Sequence, residues 1–275
     1  MSGLRQEFVQ RSITAICLSA VVVALVLFSP NLILNTFVFL LSLALFFEWM
    51  KVSKASRKKK IIFLLFFSSL ICCILGFGAL LEPIPIITML GITVWIVIAF
   101  QIFFREGRLS SSFSFTNFWI GLILISTFCL TCFQFVNGSR LFLLIAIFNV
   151  AIFDSGAYII GKNFGKNSFL PELSPNKTIE GLIGGLASSI VFVTLLYILI
   201  EEVSLKASIA LMLSIPFALC GDYFFSFLKR KANIKDTGSI LPGHGGLLDR
   251  VDSHLAAIPM TAFFSHLLYM LGLYF

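Results

Sequence analysis

Charge is scarce in this sequence. Of its 275 residues only 12% are Asp, Glu, Lys or Arg, while 59% are hydrophobic. A soluble domain carries about 25% charged residues, roughly twice this share. With 13 acids and 20 bases, the chain cannot cover a water-soluble globule of its length, and so much apolar sequence does not stay disordered. A soluble enzyme and a disordered chain are therefore excluded. A cysteine framework is also missing. The six cysteines, Cys17, Cys72, Cys73, Cys129, Cys132 and Cys220, all fall inside apolar runs, which excludes a secreted disulfide scaffold. The redox-like spacing Cys129-x-x-Cys132 has no second pair beside it and reads as packing. Repeats and low-complexity tracts are absent, and the longest polar segment, 226–253, is too short to fold alone.

What fills the chain is long apolar runs. A helix crossing the hydrocarbon core needs about 20 apolar residues. Nine such spans are expected, at 12–29, 31–47, 61–81, 84–104, 118–136, 141–160, 182–200, 206–225 and 254–274. The fold class is all-α, a polytopic membrane bundle of about nine helices. The chain is expected to divide into N-terminal transmembrane helices (1–140) and a C-terminal transmembrane region (141–275), which would be the catalytic one if its polar residues carry chemistry. Arg5 and Arg11 precede the first span as in a signal peptide, but no small-x-small cleavage site stands before Pro30, so the span is expected to be retained.

Basic residues test the count. With the N-terminus inside, nine spans put all of the 20 Lys and Arg except Arg140 and Lys206 on the cytoplasmic side. That asymmetry is the positive-inside pattern, and one span more or fewer would scramble it. The run from Lys51 to Lys60 is expected to orient the chain and to meet anionic headgroups, at about 1 kcal/mol per base.

Acidic residues are unevenly placed. Glu82, Glu201 and Glu202 fall in outside loops, whereas Asp154, Asp222, Asp236, Asp249 and Asp252 gather at the last three cytoplasm-facing regions. An acid in or beside a hydrocarbon span is costly, which makes function the default reading. If the eighth helix runs past the bilayer, Asp222, Ser226, Lys229 and Arg230 share one face. Lys235-Asp236-Thr237-Gly238 and the glycine-rich Gly243-His244-Gly245-Gly246 follow. Such a turn lets backbone N–H groups approach a phosphate. Asp249 and Asp252 then sit at i and i+3, suited to gripping one divalent cation whose other ligands are phosphate oxygens.

Each part also has a plainer reading. The two acids could only cap a helix, the lysines could only orient the chain, and His244 could only make a turn. Three carboxylates, five cations, a histidine and a glycine cluster within 226–252 make those readings hard to hold together.

A second constellation covers 154–185. Asp154 and Tyr158 share a helix face. Gly161-x-x-x-Gly165-Lys166 lacks the longer gap and following hydroxyl of a Walker loop. Ser174-Pro175 reads as a helix cap and first turn, aiming Lys177 and a helix N-terminus at an anion. Gly181, Gly184 and Gly185 read as a close helix contact.

The pattern Ser226-x-Leu228-Lys229-Arg230, then Lys235-Asp236-x-Gly238-x-x-Leu241-Pro242-x-His244-Gly245-Gly246-x-x-Asp249-Arg250-x-Asp252, resembles the motif of the phosphatidate cytidylyltransferase (CDP-diacylglycerol synthase) family. The 154–185 stretch resembles that family's second region, with Ile179 where an aromatic is expected and Asn176 where a second base is common. Over 1–140 the likeness is of topology only.

The resemblance implies that CTP and phosphatidic acid give CDP-diacylglycerol and pyrophosphate. It implies Mg²⁺ as cofactor, leaving open a second metal or a monovalent cation. Metal ligands would be Asp222, Asp249 and Asp236, with Asp252 close behind. Lys229, Arg230, Lys235 and Arg250 would hold phosphates, with Lys177 reaching the same cluster. His244, Gly243, Gly245 and Gly246 would shape the loop over the triphosphate. Asp154, Ser174 and Ser226 complete the expected substrate contacts. Partners are CTP, phosphatidic acid and membrane lipids. Nucleic acid is not expected, and a homodimer is compatible with the reading. The compact chain leans to a bacterial cytoplasmic membrane with the site facing the cytoplasm. The nearest rival is a CTP-dependent polyprenol or lipid-alcohol kinase, which would transfer the γ-phosphate and release CDP. A membrane transporter is more distant, because the charges crowd one face rather than lining a path across.

Overall fold

The computed structural model describes residues 19–54, 56, 58–59, 61–62, 85–104, 118–171, 174–238 and 245–272. Eight helices stand in them: α1 (Ser19–Phe28), α2 (Asn31–Val52), α3 (Pro85–Phe104), α4 (Phe118–Asn137), α5 (Arg140–Phe164), α6 (Ile179–Leu199), α7 (Leu205–Lys231) and α8 (Leu248–Met270). Six of them, α2 to α7, are long and apolar enough to cross a membrane, and the fold is a polytopic helical membrane bundle. Part of the first expected span and nearly all of the third, 61–81, lie outside the described residues.

Polar residues set the helix starts. Ser139 accepts from Phe142 N–H at 3.3 Å to cap α5, and Ser204 accepts from Ala207 N–H at 3.2 Å to cap α7. As the sequence suggests, α7 runs beyond its apolar stretch, to Lys231.

The core forms where α2, α3, α4 and α7 meet. Trp49 of α2 is fully buried and lies against Phe224 and Phe225 of α7, with ring centroids 6.4 and 6.0 Å apart. Trp95 of α3 meets Phe224 edge-on at 5.7 Å. Gly121 of α4 leaves the space that the Trp49 indole occupies, where a Cβ would collide with the ring. Cys129 and Cys132 are buried and free, as packing residues.

A second packing unit joins α5 to α6 through small residues. A Cβ on Gly185 would stand 2.8 Å from the Phe153 carbonyl, and one on Gly181 would stand 2.8 Å from that of Ala157. This is the close contact expected of that glycine run. A buried polar clasp adds to it. Ser189 Oγ donates to Asn149 Oδ1 at 2.6 Å, and Asn149 Nδ2 donates to the Leu211 carbonyl at 3.2 Å, tying α5, α6 and α7 together.

Between α5 and α6 the structure departs from expectation. Residues Ser174–Thr178 form a strand, β2, antiparallel to β1 (Ser168–Leu170), with Ser168 opposite Thr178 and Leu170 opposite Ser174. Ser174-Pro175 is therefore not a helix cap, and a small hairpin is added to the all-α bundle. The cap is Thr178, whose hydroxyl accepts from Gly181 N–H at 3.1 Å. A two-stranded ribbon has only edge strands, where proline is tolerated. Glu180 fastens the hairpin's base, accepting from Lys166 N–H at 3.0 Å, Asn167 N–H at 3.2 Å and Asn167 Nδ2 at 2.8 Å.

Candidate active site

The hairpin meets α7 through Lys177 against Asp222 and Phe169 against Tyr223, and a cavity of about 800 Å³ is lined by the hairpin together with α5, α6, α7 and α8. Asp154, Tyr158 and Lys162 line it from α5, Ser174 and Lys177 from the hairpin, and Gly181 from α6. Asp222, Tyr223 and Lys229 enter from α7, and Asp249, Arg250 and Asp252 from α8. The two constellations separated in sequence thus share one space.

Opposite charges interlock there. Lys177 pairs with Asp222, and its Nζ sits 4.5 Å from the centre of the Tyr223 ring, a cation–π arrangement. Lys229 Nζ lies 2.8 Å from Asp249 Oδ1. The other oxygen, Asp249 Oδ2, accepts from Thr237 N–H at 2.9 Å and Gly246 N–H at 3.0 Å. Asp249 stands in the first turn of α8, before that helix becomes apolar. Burial works to raise its carboxyl, but the bonds from Lys229, Thr237 and Gly246 outweigh burial and hold it below the usual carboxylate range. Asp252 is buried one turn on, and Asp222 lies close enough to both Asp154 and Asp252 for their charges to interact.

Other sequence candidates fall around the cavity rather than in its lining. Ser226 is half-buried on α7, Arg230 is exposed near that helix's end, and Lys235 and Asp236 are exposed in the turn that follows. Gly245 has φ +81°, in the left-handed region that favours glycine. A Cβ there would come within 3.2 Å of Asp236 Oδ1 and 3.3 Å of Asp249 Oδ2, so both carboxylates flank this residue. Gly243 and His244 lie outside the described residues.

Sequence reasoning assigned no role to several residues that build the site. Tyr223 is the platform under Lys177, and Thr237 is a ligand of Asp249. Glu48, fully buried at the far end of α2, accepts from Thr237 Oγ1 at 2.9 Å, Leu247 N–H at 3.0 Å and Leu248 N–H at 2.8 Å. The rule that singles out Asp154, an acid beside a hydrocarbon span, applies equally to Glu48.

Among the described residues no three His, Cys, Asp or Glu side chains converge as a ready metal cluster. The donor chemistry nevertheless fits a hard divalent cation. Asp222, Asp252 and Asp154 present carboxyl groups to one cavity, and carboxylate oxygens are the ligands that Mg²⁺ takes alongside phosphate.

Comparison with known proteins gives a consistent family. The family model described as the cytidylyltransferase family matches residues 9–268. A phosphatidate cytidylyltransferase of Bacillus subtilis (strain 168) is 43% identical over 113 residues, which are 40% of this chain and 42% of that protein. One from Staphylococcus haemolyticus (strain JCSC1435) is 42% identical over 122 residues, 43% of this chain and 46% of that protein. One from Staphylococcus aureus (strain COL) is 42% identical over the same length and shares. The matched stretch spans less than half the length of these curated relatives.

Proposed function

Because the chain belongs to the cytidylyltransferase family, we propose that it is a phosphatidate cytidylyltransferase, making CDP-diacylglycerol and pyrophosphate from CTP and phosphatidic acid. The observation that carries this reading is the cavity in which Lys177, Asp222, Lys229, Asp249 and Asp252 meet at one end of a membrane bundle. Such a place suits a reaction between a water-soluble nucleotide and a lipid.

The nucleophile is the lipid's own phosphate oxygen. It attacks the α-phosphorus of CTP, the bond from that phosphorus to the α–β bridging oxygen breaks, and pyrophosphate leaves with the electron pair. An ionised phosphate needs no general base, so no activated Ser or Cys is required. The protein must instead align two anions that repel each other and hold the charge that gathers on the leaving group. Lys177, Lys229 and Arg250 bind phosphate oxygens in the cavity. Arg230 and Lys235, outside its lining, draw in the triphosphate. Asp222 and Asp249 would hold Mg²⁺ with Asp252, which lines the same cavity, close behind, while Asp236 is exposed outside that lining. The metal, when bound, neutralises phosphate charge and polarises the α-phosphate. Gly245 and Gly246 let backbone approach the phosphates, and Asp154 and Ser174 border the substrate space.

The site faces the cytoplasm of a bacterial inner membrane in this reading, supported by the positive-inside distribution of Lys and Arg and by the bacterial relatives. The test is label transfer by purified protein in detergent with Mg²⁺ and phosphatidic acid. Label from α-³²P-CTP should enter the lipid fraction and label from γ-³²P-CTP should not. The reverse result would mark a lipid kinase, and no transfer of either label would reject both.

A further inference from the structure

Helix α8, which carries Asp249 and Asp252, begins without a cap of its own. Its N-cap residue, Leu247, offers no hydroxyl or carboxylate to the first N–H groups. Those orphan donors need an acceptor, and burial makes the need greater. The acceptor comes from the other end of the chain. Glu48, 200 positions before Leu248, sends its carboxylate from α2 to the N–H groups of Leu247 and Leu248. A negative group at a helix N-terminus is also favoured by the helix dipole.

Glu48 reaches further than the cap. Thr237 Oγ1 lies 2.9 Å from Glu48 Oε2 and 3.1 Å from Asp249 Oδ2. A hydroxyl has one proton, so Thr237 bridges two carboxylates with it, and Asp249 in turn holds Lys229. Gly238 and Gly246 leave room for the Glu48 side chain. A Cβ on Gly246 would stand 2.6 Å from Glu48 Oε2, and one on Gly238 would collide with Glu48 Oε1. The next residue, Trp49, is wedged against Phe224 and Phe225 of α7, which sets the register of α2 against the helix that carries Asp222 and Lys229.

We propose that Glu48 is a positioning residue of the active site: through Thr237 and the first turn of α8 it holds Asp249 and Lys229 where the reacting phosphates need them. The first helices of the chain are then part of the catalytic apparatus rather than only its anchor. The kinetic side rests on the cytidylyltransferase reading, whereas the structural side does not.

The experiment uses the full-length protein in detergent and two variants, Glu48→Gln and Thr237→Val. Glu48→Gln keeps the shape but loses the charge and one acceptor. Displacement of reacting groups by about 1 Å costs on the order of 10²-fold in rate, so kcat per folded molecule should fall by about that factor. KM for phosphatidic acid should stay within about twofold, since uniform binding is not what is lost. Thr237→Val should lower kcat similarly. The double variant should be no slower than the worse single one, because both cut the same chain of contacts.

Hydrogen exchange at the amides of Leu247 and Leu248 should accelerate in Glu48→Gln, whatever the substrate. A cap that serves stability alone would lower the melting temperature and leave kcat per folded molecule unchanged. That result overturns the proposal, as do unchanged exchange at the two amides or additive losses in the double variant. If Glu48→Gln does not fold, Thr237→Val reads the same contact. If wild-type protein transfers no label from CTP, the family-based reading fails, and exchange at Leu247 and Leu248 alone decides whether Glu48 holds the turn.

Discussion

Lys229 and Asp249 form an ion pair at 2.8 Å, with side chains only 16% and 8% exposed. Lys229 is near the end of α7 and Asp249 in the first turn of α8, so the pair closes the angle between the two helices that hold most of the candidate site. Removing one partner of a buried pair strands a charge and costs about 3–5 kcal/mol, whereas removing both strands none. Lys229→Met and Asp249→Leu should each lower the melting temperature sharply, and the double variant should regain part of the loss. Activity should stay absent in all three. Recovered activity in the double variant would assign the pair to stability alone.

The same pair has a signed pH response. Asp249 is held below the ordinary carboxylate range, so its contribution to stability is fully present above about pH 4, its unfolded value, and is lost as pH falls through the lower folded value. Melting temperatures followed from pH 7 to pH 3 should show Asp249→Asn with a shallower acid-side decline than wild type. An equally steep decline would mean that other carboxylates dominate.

Lys177 reaches Asp222 only because the hairpin folds back over the cavity. Lys177→Gln keeps the stem over Tyr223 but removes the charge proposed to meet phosphate. Loss of one such electrostatic contact should lower kcat by about 10²–10³-fold. The melting temperature should fall less than in Lys229→Met, since Lys177 and Asp222 are 27% and 30% exposed and their pair is better screened. Normal turnover in Lys177→Gln would remove it from the site.

Asn149 offers a control away from the reaction. Its bonds to Ser189 and Leu211 join three helices, and interhelical bonds in membranes are worth about 0.6 kcal/mol each. Asn149→Leu should lower stability by about 1 kcal/mol and leave kcat unaltered. A tenfold loss of kcat would place the clasp in the catalytic apparatus.

Gly245 sits at φ +81° between Asp236 and Asp249. Gly245→Ala should cost about 1–2 kcal/mol in backbone strain, and Gly245→Asn less, because Asn tolerates the left-handed region. Equal stability of both variants with wild type would contradict the turn geometry.

Much of this was legible in the sequence because the membrane makes charge conspicuous. Asp222 stands out against apolar neighbours, Lys229, Asp249 and Asp252 gather with other polar residues at the edge of a span, and helix periodicity places them on common faces. The hairpin was not legible. Ser174-Pro175 reads equally as a helix start, and its three-residue partner at 168–170 gives no alternation to detect. Glu48 was visible as an acid beside a hydrocarbon span, but its partner was not: a cap supplied by another helix leaves no local pattern at the helix it caps. Tyr223 looked like one more aromatic in an aromatic run, and only the fold sets Lys177 over its ring.

The central claim is that the cavity joining Lys177, Asp222, Lys229, Asp249 and Asp252 transfers a cytidylyl group to a lipid phosphate. The most direct measurement is ³¹P NMR of purified protein with CTP, phosphatidic acid and Mg²⁺. The account predicts that CTP and phosphatidic acid signals decline together, one inorganic pyrophosphate appears for each CDP-lipid formed, and Asp249→Asn shows neither. CDP accumulating in place of pyrophosphate, or undiminished turnover by Asp249→Asn, would contradict it.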